Sequence, residues 1–224
     1  MTLILSNDDV NSLLTMPDCI VALEDAYREL AHGRGVNRRR TDSLVQGEGP
    51  ETLYSLKTMD GIAPKAGVGA VRINSDIVGW PTREGTVRRE KIPAAPGGRW
   101  VGLVLLFSTS TGEPLAIFPD GYLQRLRVGA ANGLAAKYLA REDAADVALL
   151  GSGWQAGGQL LAITAVRKIR RIRCYSPNAE HRDAFSHEMS AGLDIEVEPE
   201  SSPERAVKGA DIVLCATNAV DKVF

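Results

Sequence analysis

The pattern of apolar and polar positions divides the chain into two dissimilar halves. In the second half, short apolar runs alternate with longer amphipathic stretches. Residues 146–150, Asp146-Val147-Ala148-Leu149-Leu150, form an apolar run of strand length, and a helical pattern follows over 154–167. Further strands are predicted at 171–175, 195–197 and 211–215, with helices at 179–191 and 203–208 between them. Strand, helix, strand at this pitch predicts parallel βαβ units joined by right-handed crossovers.

The first half reads as mixed α and β. Ser6 or Asn7 can cap a short helix reaching about Met16, and Pro17 suits the first turn of a second helix. There Ile20, Leu23, Ala26, Tyr27 and Leu30 recur at helical spacing, and Gly33 supplies the stop. A basic, turn-rich stretch with Arg38-Arg39-Arg40 follows. Strand-like segments are predicted at 52–58, 67–73, 100–108 and 114–118, the last two joined by a hairpin turn at 109–113. Residues 75–99 contain Gly79, Pro81, Gly85, Pro93, Pro96, Gly97 and Gly98, and read as a long loop, either a lid over a ligand or a passive insertion. An apolar stripe of Leu123, Leu126, Ala130, Leu134 and Leu139 predicts a helix over about 120–140. The expected organisation is therefore an N-terminal α+β domain over 1–119, a linking helix over 120–143 and a Rossmann-type parallel sheet over 144–224. The fold class is α/β.

Composition narrows the function classes. With 44% hydrophobic residues, 24% charged residues and a net charge of −2, the chain is an ordinary globular sequence with no general affinity for nucleic acid or an anionic membrane. No apolar run approaches the roughly 20 residues that span a bilayer, and the N-terminus lacks the basic start of a signal peptide. Cys19, Cys174 and Cys215 are too widely spaced for a metal or disulfide framework, and His32, His181 and His187 show no zinc spacing. The expected setting is a reducing cytoplasm and the expected partner a small molecule, without a metal.

Gly151-Ser152-Gly153-Trp154-Gln155-Ala156 fits G-x-G-x-x-A directly after an apolar strand and at the start of a helix, the context a dinucleotide-binding turn requires. Gly151 permits the tight turn, Gly153 lets backbone approach a pyrophosphate, and Ala156 allows close helix-to-strand packing. The end of the second strand then chooses among ligands. An Asp or Glu there usually holds the ribose of NAD, whereas this chain has Tyr175-Ser176-Pro177-Asn178, with Arg182 one helical turn on. Ser176, Asn178 and Arg182 favour NADP(H) over NAD(H), unless Arg182 merely occupies a solvated helix face. The same substitution disfavours a methyl-donor site. Thr217 and Asn218, after the fourth strand, are plausible cofactor contacts at the carboxyl edge of the sheet.

Gly112-Glu113-Pro114-Leu115, Arg127-Val128-Gly129-Ala130-Ala131, Leu139-Ala140-Arg141 and the fingerprint together resemble the ornithine cyclodeaminase/mu-crystallin family. The likeness extends over nearly the whole chain and is most specific from about 112 to 160. It implies hydride exchange between a nicotinamide and the α-carbon of a small amino or imino acid. It further implies a homodimer formed through the first domain, which also holds substrate. Arg40 and Arg127 match the arginines that grip the substrate carboxylate in the family, a task suited to a planar fork of donors. Arg72 stands where the family's catalytic lysine sits, and Tyr54 where the cyclodeaminase has a carboxylate. Lys57 is close enough in sequence to take over a catalytic role. The family's catalytic aspartate lies beyond the last residue, Phe224. An end there leaves strand 211–215 as an apolar edge, so the resemblance implies a C-terminally truncated member with an incomplete Rossmann sheet. Two function classes remain open: an oxidoreductase or cyclodeaminase, and a non-catalytic NADP(H)-dependent ligand-binding protein.

Overall fold

The computed structural model describes residues 1–49, 51–83, 86–87, 90–92, 101–219 and 222–223. The chain gathers into two compact units, one of Met1–Thr15 with Val21–Gln124 and one of Met16–Ile20 with Arg125–Phe224.

The first unit is built on a mixed sheet. β1 (Leu3–Ile4) leads into α1 (Asn7–Leu13), whose start is a capping box: the Asp9 N–H donates to Ser6 Oγ, and the Ser6 N–H donates to Asp9 Oδ2. α2 (Met16–Ala31) follows at once, with Pro17 in its first turn where the missing N–H costs nothing. Then come β2 (Val36–Asn37), β3 (Thr41–Gln46), β4 (Thr52–Ala63) and β5 (Val68–Gly79). After these lie β6 (Thr82–Arg83), β7 (Thr86–Val87), β8 (Glu90–Ile92), β9 (Val101–Ser108) and β10 (Pro114–Pro119). The order is β1-β10-β9-β5-β4-β2, with β3 also on β4 and β8 also on β5. Gly112, at φ 75°, turns the β9–β10 hairpin.

Two sequence expectations need correction. Residues 75–79 do not open a loop. They extend β5, pairing with β4 and β8, because Asp76 and Val78 alternate into a buried face. Of the remaining loop, residues 84–85, 88–89 and 93–100 lie outside the described residues, and β6 to β8 are strands rather than irregular chain. The basic stretch contains β3, all six residues of which are exposed, so it carries no inward apolar signature to reveal it.

The two sheet faces differ in chemistry. Register pairs Ser55 with Asp76, Lys57 with Asn74 and Met59 with Arg72, placing all six on one face. The other face presents Val36, Val45, Tyr54, Leu56, Ile62 and Leu103, each exposed.

The second unit includes most of α3 (Gly121–Leu139) and the parallel strands β11 (Asp146–Leu150), β12 (Arg171–Tyr175), β13 (Val197–Pro199) and β14 (Ile212–Cys215). Their order is β13-β12-β11-β14. Connections run through α4 (Trp154–Val166), α5 (Ala179–Leu193) and α6 (Pro203–Val207). Val147, Leu149, Leu160, Ile163, Ile172 and Cys174 form the buried centre. β13 starts two residues later than expected. α5 runs on to Leu193 and ends on Asp194 in the left-handed region, φ 53°, and Ser190 Oγ then receives the Val197 N–H.

α3 crosses α4 at glycines. A Cβ on Gly129 would lie 2.2 Å from the Gly158 carbonyl oxygen, and one on Gly133 would lie 3.1 Å from the Ala162 Cβ. Small residues four apart on each helix therefore set the approach. Gly129→Ala should destabilise the fold by about 1–3 kcal/mol through overpacking, read as a lowered urea midpoint with unchanged slope. An unaltered midpoint would mean that the helices are not in this contact.

Candidate functional site

In the second unit, three strand ends meet at the fingerprint. The Gly151 N–H donates to the Tyr175 carbonyl at 2.8 Å, and the Ala216 N–H donates to the Leu150 carbonyl at 2.8 Å. Gly151 adopts φ 116°, and a Cβ there would sit 2.2 Å from the Ala216 carbonyl oxygen. Only glycine fits, on grounds of both dihedral and space. Two residues on, Gly153 is the N-cap of α4 and offers no side-chain cap. A Cβ on Gly153 would meet nothing within 4 Å. The start of α4 thus has no side-chain cap and open space at Gly153, and helix polarity favours an anion there. Ala156 is fully buried against the core, while Ser152 and Gln155 flank the turn half-buried.

The remaining cofactor candidates divide. Ser176 is half-buried at the end of β12. Asn178 caps α5, its Oδ1 accepting the His181 N–H at 2.9 Å. Arg182 is not on a solvated face: only 15% of its side chain is exposed, with Nε on Asp183 at 2.9 Å and Nη1 on the Glu200 carbonyl at 3.1 Å. It braces α5 to the end of β13. Thr217 follows β14 beside Gly151, and Asn218 is exposed next to it. One pairing was missed by sequence reasoning. The Arg125 guanidinium lies 4.4 Å above the Trp154 ring, and Gly157 leaves the room it occupies.

The substrate candidates fall in both units. Arg127 lies half-buried in the part of α3 that belongs to the second unit. Arg40, Lys57 and Arg72 belong to the first. Arg40 is exposed and held on Asp42, with Nη2 at 2.8 Å from Oδ2 and Nε at 2.7 Å from Oδ1. Lys57 is buried, its Nζ 2.6 Å from Asp76 Oδ2, while Lys91 reaches the other Asp76 oxygen at 3.0 Å. Arg72 donates from Nε to Asp120 Oδ2 at 2.7 Å and from Nη1 to Met59 Sδ at 3.4 Å. Asp76 and Asp120, both at most 3% exposed, were not singled out from sequence. For Asp76 no local signal was available in the sequence, because Arg72, Asn74 and Asp76 follow one another on the same face of β5.

Burial by itself would raise the Asp76 carboxyl. The hydrogen bonds and charges of Lys57 and Lys91 outweigh it and hold the group below its ordinary value of 3.8. Among the described residues, no group of His, Cys, Asp and Glu is arranged to hold a metal, and no helix is long and apolar enough to cross a membrane.

Comparison with known proteins adds a family and its members. The sequence model of the ornithine cyclodeaminase/mu-crystallin family matches residues 1–223. The Δ(1)-pyrroline-2-carboxylate reductase of Bacillus cereus is 38% identical over 123 residues, which are 55% of this chain and 38% of that protein. The structure of the Thermococcus litoralis Δ(1)-pyrroline-2-carboxylate reductase in complex with NADH and L-proline matches with a TM-score of 0.82 and 29% identity. That match covers 100% of this chain and 64% of the other. An archaeal alanine dehydrogenase dimer with bound NAD matches with a TM-score of 0.77 and 27% identity, over 96% of this chain and 60% of the other. The chain thus spans less than two thirds of the length of each.

The Asp76 shift has a pH consequence. A carboxylate whose folded value is depressed adds stability that is complete above its unfolded value and is lost as pH falls through the folded one. Acid titration of stability should therefore show a loss beginning near pH 4 and continuing below it. Asp76→Asn should flatten that slope while lowering stability at neutral pH, because Lys57 loses its buried counter-charge. An unchanged acid slope in this variant would rule out the Asp76 contribution.

Proposed function

Because the chain belongs to the ornithine cyclodeaminase/mu-crystallin family, we propose that it acts in an NAD(P)-dependent oxidoreductase that exchanges hydride at the α-carbon of a small amino or imino acid. A cyclic imino acid of the Δ(1)-pyrroline-2-carboxylate type is the substrate proposed first, after the named relatives. The observation that carries this reading is the uncapped start of α4 behind a left-handed Gly151, with open space at Gly153. A bound reduced nicotinamide supplies the hydride. The amides of residues 154 and 155 receive the pyrophosphate, with Ser152, Trp154, Gln155 and Ala156 shaping the turn.

NADP(H) is favoured over NAD(H). In support, residues 175–178 contain no carboxylate, Ser176 and Asn178 offer polar groups there, and Arg182 adds charge nearby although its donors are engaged. Arg72 and Arg40 are the proposed carboxylate ligands of the first unit, and Arg40 must then exchange Asp42 for the ligand. Arg127 is the corresponding candidate of the second unit. Lys57 is the proposed proton donor. The setting proposed is the cytoplasm, and the three free cysteines support it.

A second reading, a non-catalytic ligand-binding protein, draws support from Arg72. A guanidinium is a poor proton shuttle, and Lys57 is tied to Asp76. Oxidation of NADPH with Δ(1)-pyrroline-2-carboxylate separates the two, since turnover supports the enzyme and saturable binding without turnover supports the carrier. In a thermal melt, NADPH at about 100 times its dissociation constant should stabilise the protein by roughly 2.7 kcal/mol, and NADH at the same concentration by less. Gly153→Leu should keep the basal melting temperature and lose this shift. A shift that survives in Gly153→Leu would remove the cofactor site from α4.

A homodimer through the first unit completes the proposal. Its support is the apolar sheet face of Val36, Val45, Tyr54, Leu56, Ile62 and Leu103, which a second copy would cover. Leu56→Glu should shift sedimentation toward the monomer, and a protein that sediments as a monomer before mutation would sink the assignment.

A further inference from the structure

The sheet face that bears Arg72 holds a carboxylate to which no role has been given. Asp120 sits between β10 and α3, 3% exposed. Its backbone is pinned on both sides: its N–H donates to the Gly102 carbonyl at 2.9 Å, and its carbonyl accepts the Gln124 N–H at 3.0 Å. Asn7 Oδ1 accepts the Tyr122 N–H at 3.0 Å and steadies the same helix start. A Cβ on Gly102 would lie 3.1 Å from the Asp120 Cβ and 2.8 Å from Asn74 Nδ2, so glycine lets both side chains lie flat on β9.

The hydrogen bonding of the carboxylate is one-sided. Arg72 Nε and Nη2 both reach Asp120 Oδ2, while Asp120 Oδ1 is buried without a hydrogen-bond partner among the described residues. From the other direction, Met59 Sδ receives Arg72 Nη1. The guanidinium is thus held by both Asp120 and Met59. A guanidinium has five N–H donors. Among the described residues three are engaged, which leaves one donor on each terminal nitrogen, two groups with which a guanidinium can take a carboxylate in a two-point grip. The Arg72 side chain keeps 14% of its surface exposed, in contrast to its partner. A buried ion pair is weak evidence for stability as such, since an apolar pair of like volume often serves the core as well.

We propose that Asp120 is a positioning residue: it fixes the Arg72 guanidinium so that its free edge meets the carboxylate of the amino- or imino-acid ligand. The proposal rests on the reading above, in which Arg72 is a carboxylate ligand. Asp120 acts through Arg72 and does not itself touch the ligand.

The test is a double-mutant cycle in the reduction of Δ(1)-pyrroline-2-carboxylate. Asp120→Asn should raise the KM for the imino acid about ten-fold or more, the size expected for a lost charged hydrogen bond, with the KM for the cofactor unchanged. In an Arg72→Gln background, Asp120→Asn should add nothing further to that KM. A purely structural carboxylate would disturb both KM values or lower stability alone. An unchanged imino-acid KM in Asp120→Asn, or effects that multiply in the double variant, overturns the proposal. If Asp120→Asn loses its cooperative melt, Asp120→Glu takes its place, and an unchanged imino-acid KM there overturns the proposal equally. A protein that gives no turnover, and no melting shift with L-proline and either NADPH or NADH, fails the functional reading itself, and the positioning role falls with it. Normal turnover with an indifferent Asp120 removes the positioning role alone.

Discussion

The second unit depends on the left-handed backbone of Gly151. At φ 116°, with the Ala216 carbonyl where a Cβ would be, this residue lets β11 turn sharply into α4 while β12 and β14 close around the same point. A side chain there would push β14 away and rotate α4. The start of α4, which has no side-chain cap, would then lose its place beside the open space at Gly153. Glycine in the left-handed region is costly in conformational entropy, and it is found where nothing else fits. Ala156 and the paired glycines of α3 and α4 continue the same principle of close backbone approach deeper into the unit.

The first unit solves a different problem, the burial of charge. Lys57, Asp76, Arg72 and Asp120 lie on one sheet face with little or no exposure. Removing an unpaired charge from water costs several kcal/mol, so each cation is met by a carboxylate at hydrogen-bond distance. The pairs are distant in sequence: Lys57 meets Asp76 between β4 and β5, and Arg72 on β5 meets Asp120, which follows β10, across β9. Their apolar counterpart lies on the opposite face, where Tyr54, Leu56 and Ile62 are exposed. A sheet that buries paired charges on one face and exposes apolar side chains on the other reverses the usual order.

The two halves of the chain differed in legibility for a physical reason. The central strand β11 buries nearly every residue and reads as a compact apolar run, with β12 and β14 at regular spacing after it, so all three were placed almost to the residue. β13 slipped because the end of α5 is set by Asp194 and the Ser190 hydroxyl, a local contest between helix and strand that periodicity does not register. In the first unit, β3 exposes every residue and β5 alternates with polar groups inward, so neither shows an apolar run. The glycines and prolines around 79–98 then read as loop where strand pairing continues into β8.

The sequence by itself determined the fold class, the place of the glycine turn between β11 and α4, and the family to which the chain belongs. It could do so because these rest on local patterns, namely strand-turn-helix spacing, glycine at fixed positions and short motifs. Only the tertiary structure decided what the charged residues do. It placed Lys57 on Asp76, Arg40 on Asp42, Arg72 on Asp120, and Arg182 on the end of β13 rather than in solvent. Such partners are selected by register and by strand order, which bring together groups up to 48 residues apart along the chain, and no local pattern records that choice.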